Sequence, residues 1–397
     1  MTMEKRKPEI RFKGFEREWV VHNASSIFET YYDKNHPYLP VLSASQELGM
    51  VVRDSVGFRV QHNKENEAGY KRVLPGQFVI HLRSFQGGFA HSMVEGITSP
   101  AYTVMQFRKS GEQDDIYWKY VLTSKTFIKR LETVTYGIRD GRSISFEDFS
   151  ELKFTYPSVF EQEKIGAFLT TLDNLIAKLD AKLDKLRKLK QALLKNMFVD
   201  ALSGQSVPQI RFKGYTDKWE VKELREVFEM PTASISVSEL QADQYISTEH
   251  MLQNFEGIEP ASSLPVYPSA CRFFQDDILM ANIRPYLNKI WLSDRNGGAS
   301  SDVIVFRQKG NSNPAFLYYE LTDGRFIRYV MKSIQGSKMP RGNKQAMQSF
   351  EMSIAPKLEQ AEIARMFHSF DQGLVRTKTK LTKLRKIKQS LLEKMFV

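Results

Sequence analysis

The stretch Thr171–Val199 reads TLDNLIAKLDAKLDKLRKLKQALLKNMFV, and Ser369–Val397 reads SFDQGLVRTKTKLTKLRKIKQSLLEKMFV. The two copies align without a gap, Lys182 falling on Lys380. In the first, apolar side chains recur three and four residues apart: Leu172, Ile176, Leu179, Leu183 and Leu186, then Leu193 and Met197 after a polar Lys190. In the second they are Phe370, Leu374, Leu381, Leu384, Leu391 and Met395, with Thr377 and Lys388 as the polar positions. This spacing is the 3.5-residue seam of a coiled coil. Two charged helices, each with one apolar stripe, bury those stripes most simply against each other. The chain therefore reads as two equivalent halves organised by a helical rod.

The rest of the chain repeats with the same period. Pro8-Glu-Ile-Arg-Phe-Lys-Gly14-Phe15 returns as Pro208-Gln-Ile-Arg-Phe-Lys-Gly214-Tyr215, and Trp19 returns as Trp219. Pro157, Glu161-Gln162, Ile165 and Asp173 are echoed by Pro356, Glu359-Gln360, Ile363 and Asp371. A period of about 200 residues is far longer than any solenoid repeat and marks a duplicated domain-plus-helix unit. Each unit has a leading peptide (8–20, 208–220), a divergent middle, and a proline followed by the long helix. DALSGQSV (200–207) carries Gly204 and ends the first helix. The frame recurs while the middles differ, which suits related tasks on different targets.

Composition narrows the class. A chain of 397 residues suggests two or three domains, and 42% hydrophobic with 12% aromatic residues makes it globular. A net charge of +11 favours a polyanionic partner, nucleic acid before acidic membrane. The single Cys271 excludes an internal disulfide and a cysteine-rich zinc site, and fits a reducing cytoplasm. No stretch approaches the roughly 18 apolar residues of a membrane span. The start, MTMEKRKPEIRFKGF, has no apolar run behind its charges and is not expected to be a secretory signal.

Within the middles, β-branched and aromatic runs bounded by turn residues predict strands at 58–60, 77–82, 102–107 and 154–156, and at 277–283, 289–292, 303–307 and 351–355. Helices are expected at 115–123 and 125–133, and at 314–322 and 324–332. Their aromatics at helical spacing (Tyr117, Tyr120, Phe127; Phe316, Tyr319, Phe326) are expected in the core. Each middle is thus α+β.

Catalytic signatures are missing: no P-loop, GxGxxG, HExxH or CxxC occurs, and the seven histidines show no ligand spacing. Asp114-Asp115 with Lys119 is a chance combination, and Glu161-Gln162 reads as a surface helix start. Gly87-Gly88 and Gly297-Gly298 read as turns. The polar signals that remain point to nucleic acid. One strand runs into Arg83-Ser84-Phe85-Gln86, and another into Arg284-Pro285-Tyr286-Leu287-Asn288-Lys289, each placing an aromatic two residues after an arginine. Arginine pairs bidentately with guanine, and Gln or Asn with adenine; an ordinary exposed turn remains the alternative. A second pair of loops carries Arg139 and Arg142 beside Gly137 and Gly141, and Lys338, Arg341 and Asn343 beside Gly336 and Gly342. Glycine-flanked basic loops let backbone NH groups and cations approach phosphates. The rods carry their own basic run (Lys185, Arg187, Lys188; Lys383, Arg385, Lys386), and Lys190 and Lys388 lie on the seam, where they set register or snorkel.

Taken together, the duplicated PxIRFKG-(F/Y)…W peptides, the strand-loop from Asp277 to Lys289, the Gly336–Arg341 loop and the Pro…Glu-Gln…Ile exits into Lys/Leu-rich helices resemble the specificity (S) subunit of type I restriction–modification systems. The resemblance covers almost the whole chain and lies in the duplicated order of the motifs. It implies an α+β fold with two target-recognition domains joined by two long antiparallel coiled-coil helices, in an internal pseudo-twofold repeat. The expected boundaries are 1–156 for the first domain, 157–199 for the central spacer helix, 200–207 for a linker, 208–355 for the second domain and 356–397 for the C-terminal spacer helix. Each domain would read one half of a bipartite double-stranded DNA site, and the helices would set the gap. A helix of roughly 26 residues spans about 39 Å, near one turn of B-DNA at about 34–36 Å. Two methyltransferase (M) subunits, which use S-adenosylmethionine to methylate adenine, would dock on the chain. A translocating nuclease (R) subunit would join for restriction. The chain itself would be non-catalytic, cytoplasmic and without a cofactor. Two other readings are a stand-alone, pseudo-dimeric DNA-binding regulator and a coiled-coil scaffold; the scaffold would lack the steep salt dependence of phosphate neutralisation.

Overall fold

A computed structural model describes residues 7–46, 48–56, 64–132, 144–334 and 339–397. The expected strand at 58–60 lies outside them. The chain divides into two units, Met1–Asp180 with Lys380–Val397, and Ala181–Thr379. Both mix α and β structure and repeat one topology.

The first unit is built on a four-stranded antiparallel sheet in the order Phe28–Tyr31, Thr103–Phe107, Phe78–Ile80, Ala90–His91. The second repeats it with Phe228–Glu229, Val303–Gln308, Ile278–Ala281 and Ile290–Leu292. The central strands, FVI and ILMA, are buried throughout, as expected of apolar strands covered on both faces. A short ribbon ties the leading peptide to the exit in each unit: Val20–Asn23 with Lys153–Tyr156, and Glu220–Glu223 with Glu351–Ile354. The helices Asp115–Val121 and Lys125–Leu131 recur as Pro314–Thr322 and Arg325–Lys332. The first of each pair starts on a capping side chain, Asp114 or Asn313, that accepts an N–H three residues on. Their aromatics are core, as the spacing required: Tyr117, Phe127, Phe316 and Phe326 are fully buried.

A second layer corrects one expectation. Gly297-Gly298 is not a turn but part of the buried strand Gly297–Ala299, between Ser269–Phe273 and the parallel strand Tyr245–Ile246. A Cβ on Gly297 would sit 2.1 Å from the Gln244 carbonyl oxygen. Gly96, on Gly96–Thr98, is its counterpart, with 2.5 Å to the Pro40 carbonyl oxygen. Both glycines admit a neighbouring backbone too close for any side chain.

The long helices are Val159–Met197 and Lys357–Lys394, of 39 and 38 residues. Each begins just after a proline and is rich in Lys, Leu, Ala, Glu and Gln, which lose little rotamer freedom in a helix. In the first unit Arg385 meets Asp180 at 2.7 Å and Lys388 meets Asp173, so the segments run antiparallel there. In the second, Lys190 meets Asp371 in the equivalent way. Each core is completed by the residues at and just beyond the end of a helix: Met395 with Phe396 and Val397 in the first, and Met197, Phe198 and Val199 in the second.

Glu161-Gln162 is also corrected. It does open its helix, as Glu359-Gln360 opens the other, but both pairs are buried rather than on the surface. Arg11 donates from Nε and Nη2 to the two oxygens of Glu161, both at 2.8 Å, and Arg211 does the same to Glu359 at 2.7 and 2.8 Å. The repeated Arg of IRFKG thereby fastens each leading peptide to the helix that follows its domain. Gln162 accepts the Asp114 N–H and donates to the Pro157 carbonyl; Gln360 does so with Asn313 and Ala355.

Candidate nucleic-acid interface

In the second unit the structure brings two of the expected loops together. The central strand Ile278–Ala281 leads through Asn282 and Ile283 to Arg284. Ile283 pairs antiparallel with Arg341, the Arg284 N–H donates to Pro340 O at 2.8 Å, and Gly342 N–H donates to Asn282 O at 3.3 Å. Gly342 sits close to its neighbours: a Cβ would lie 2.3 Å from the Met347 methyl and 3.0 Å from Asn282 Oδ1, so those side chains would have to shift. A single tight turn, Pro285–Leu287, follows, flanked by Arg284 and Asn288 with φ of +52° and +54°. Two non-glycine residues in left-handed conformation bracket the turn; Asn288 adopts that region readily, whereas Arg284 needs surrounding contacts to hold it there.

The side chains of this cluster differ in their freedom. Arg284 is exposed with no carboxylate partner among the described residues, and Tyr286 is half exposed. Arg341 is exposed too, with Nη2 2.9 Å from Asp302 Oδ1. Lys289 donates from Nζ to the Thr248 carbonyl at 2.6 Å, which holds it to its own fold. Asn343 Oδ1 accepts the N–H groups of Gln345 and Ala346 and caps a short helix, so that oxygen is committed. Lys338 lies outside the described residues.

In the first unit, Arg83 is exposed and without a carboxylate partner among the described residues, at the start of the helical turn Ser84–Gly87. Ser84 is fully buried, and its Oγ accepts the His81 N–H at 2.8 Å, so it shapes the turn. Phe85 packs partly buried against the core, unlike Tyr286. Gln86 is exposed and accepts from the Gln46 amide at 3.2 Å. Gly88 closes the turn with φ +80°, the role of Asn288 in the other unit. Burial pushes the His81 imidazole down to about 4, and its Nδ1 accepts the Arg83 N–H at 3.2 Å. Arg139 and Arg142 lie outside the described residues.

The seam lysines form matching clusters. Lys190 pairs with Asp371 with its Nζ 5.3 Å from the Tyr319 ring, and the Tyr319 hydroxyl donates to Asp371 at 2.8 Å. Lys388 pairs with Asp173, 5.6 Å from the Tyr120 ring, whose hydroxyl donates to Asp173 at 2.8 Å. Each seam lysine thus fixes its helix against both the partner helix and the short helix of its own unit. Sequence reasoning missed a further set, Glu256 with Arg187 and Lys378. Its only signal was an unremarkable acid in a turn-rich stretch.

No group of three or more His, Cys, Asp or Glu that could hold a metal ion occurs among the described residues. None of the helices, again among the described residues, is long and apolar enough to cross a membrane.

Comparison with known proteins now identifies the scaffold. The chain is 23% identical over 308 residues to the type I restriction enzyme MjaVIII specificity subunit of Methanocaldococcus jannaschii, covering 72% of this chain and 70% of that protein. It is 21% identical to the type I restriction enzyme EcoDI specificity subunit of Escherichia coli, covering 90% of this chain and 88% of that one. The fold is that of the crystal structure of the type I restriction–modification S subunit from M. genitalium, with a TM-score of 0.61 at 15% identity over 98% of this chain and 99% of that one. Two segments, 33–188 and 216–388, match the type I restriction modification DNA specificity domain, one for each half of the repeat, and the chain belongs to that family.

Proposed function

We propose that the two units are target-recognition domains, each reading one half of a bipartite duplex site, with reading turns at Arg83 and Arg284. The chain is the DNA-recognition, non-catalytic subunit of a type I restriction–modification complex. One observation carries the finer reading. In both units an arginine with no carboxylate partner among the described residues stands exposed where the central strand of the sheet ends. Arginine fits the O6/N7 edge of guanine bidentately, and each such pair discriminates by about 1–3 kcal/mol. Arg341 and Tyr286, adjoining Arg284, would add phosphate and base-edge contacts, and the net charge of +11 supplies nonspecific attraction. Arg139, Arg142 and Lys338 take the equivalent phosphate-facing role in this reading, with Gln86 and Lys289 at the margins of the turns.

The same reading takes 1–156 and 208–355 as the recognition domains and the segments 157–199 and 356–397 as an antiparallel coiled-coil spacer. The seam pairs Lys190–Asp371 and Lys388–Asp173 support it. Two adenine methyltransferase subunits would dock on this frame, and nuclease subunits would join them. Methylome sequencing of cells with and without the chain tests this directly: a modified bipartite motif should vanish on deletion. Arg284→Ala should relax base preference in one half of that motif and Arg83→Ala in the other. A motif that survives deletion, or two substitutions that relax the same half, would overturn the assignment.

A further inference from the structure

One loop of the second unit joins the reading turn to the long helices. Gln253–Gly257 holds three left-handed residues, Asn254 (φ +56°), Phe255 (φ +60°) and Gly257 (φ +94°). On one side, the Asn254 N–H donates to Leu287 O at 3.0 Å and the Phe255 N–H to Asn288 O at 2.8 Å, the two carbonyls that close the turn after Arg284. On the other, Glu256 Oε1 accepts from Arg187 Nη2 at 2.7 Å and Oε2 accepts from Lys378 Nζ at 2.6 Å. Arg187 lies on the helix Val159–Met197 and Lys378 on Lys357–Lys394, so one carboxylate spans both.

The repeat explains why a loop carboxylate is wanted here. Under the alignment of the two helices, Arg187 corresponds to Arg385 and Lys378 to Asp180. In the first unit Arg385 and Asp180 satisfy each other at 2.7 Å. In the second the same two places hold two cations, and Glu256 supplies the missing negative charge between them.

We infer that Glu256 is a positioning residue for DNA recognition: gripped by Arg187 and Lys378, it holds the 253–257 loop, which in turn fixes the Arg284–Asn288 turn. This rests on the reading of that turn as a base-reading element. Left-handed backbone at Arg284, unlike that at Asn288, is uncommon and persists where neighbours impose it, and the loop supplies two of the hydrogen bonds that constrain the turn. The Glu256 grip is partly exposed, so it biases the turn and does not decide whether the unit folds.

The test uses the complex purified with the full chain, and duplexes carrying the motif found in the methylome with one base pair changed in either half. Glu256→Gln should reduce discrimination in the Arg284 half by about threefold, the scale of a partly exposed ion pair, and leave the other half unchanged. Hydrogen exchange in the peptide containing Asn254 and Phe255 should speed up in parallel. Lys378→Asp should behave alike, because the new carboxylate takes Arg187 as Asp180 takes Arg385. Glu256→Lys combined with Lys378→Glu should restore discrimination. Equal losses in both halves, or faster exchange with discrimination intact, overturns the positioning role. If Arg284→Ala itself leaves its half-site preference intact, the assignment of the turn falls instead, and this inference with it.

Discussion

The two units solve one structural problem with different charges. At the edge of the central strand in the second unit, Asp277 is buried and takes Arg307 through Nε at 3.1 Å and Nη2 at 2.7 Å. In the first, Gln77 occupies the place, donating to Gln106 at 3.0 Å, which donates in turn to Glu29. The backbone around both is the same: Ser92 N–H reaches Gln77 O as Ser293 N–H reaches Asp277 O. Each side chain also accepts an N–H three residues earlier, from Leu74 or Phe274. Buried polar positions thus tolerate a change of charge when every donor and acceptor stays paired. By contrast, the contacts that tie domain to helix keep their residue types in both halves.

Those ties give the largest expected effect. Removing Arg11 or Arg211 leaves a buried carboxylate without its cation, a loss of about 3–5 kcal/mol for buried pairs. The units should not respond alike. Glu359 Oε2 also accepts the Trp219 indole N–H at 3.1 Å, whereas the Trp19 indole nitrogen is buried without a partner. Arg11→Ala should therefore destabilise its unit more than Arg211→Ala does, read from chemical denaturation followed by domain-specific hydrogen exchange. Equal losses would mean that the indole adds nothing to the clamp.

A smaller effect is expected at the close approaches. Gly297→Ala and Gly96→Ala each push a methyl into a carbonyl oxygen and should cost about 1–3 kcal/mol, as overpacking does. The order should follow the gaps, 2.1 Å before 2.5 Å, so Gly297→Ala is the worse in thermal unfolding. The reverse order would show that the Tyr245–Ile246 strand yields more readily than the backbone at Pro40.

A third effect depends on pH and belongs to one unit. Burial, opposed by a backbone contact with Gly88 and aided by the charge of Arg83, holds His81 at about 4 against an ordinary 6.5. A depressed folded value means that unfolding takes up a proton between these limits. The stability from the neutral ring is complete above about 6.5 and is lost as pH falls toward 4, on the order of 3 kcal/mol at most. The first unit should soften in this window, and His81→Gln should flatten the dependence. An unchanged slope in that variant would assign the acid sensitivity elsewhere.

Much of this was legible in the chain itself. A seam repeated at three- and four-residue spacing has few other ways to bury its stripe. The duplicated IRFKG and Glu-Gln peptides announced that both halves share a frame, and the helices at Asp115 and Pro314 followed from aromatic periodicity. The function of Arg11 and Glu161 was not legible, because 150 residues separate the partners and nothing local marks either as buried. Ser84 and Asn343 were expected as DNA contacts because their polarity is visible in sequence, while their engagement by nearby backbone N–H groups is not. Gly297-Gly298 looked like a turn because a glycine pair carries the same local signal in a tight bend and in a crowded strand.

The amino-acid sequence on its own determined the duplication, the long helices, the basic character and the strand-to-arginine turns, since all of these are periodicity, composition or local chemistry. Only the tertiary structure decided which polar side chains are spent inside the fold and which stand free. It alone revealed that the same helix positions hold a self-satisfied Arg385–Asp180 pair in one unit and two cations awaiting Glu256 in the other. Pairing between residues far apart in the chain depends on which surfaces meet, and that is set by packing of the whole unit.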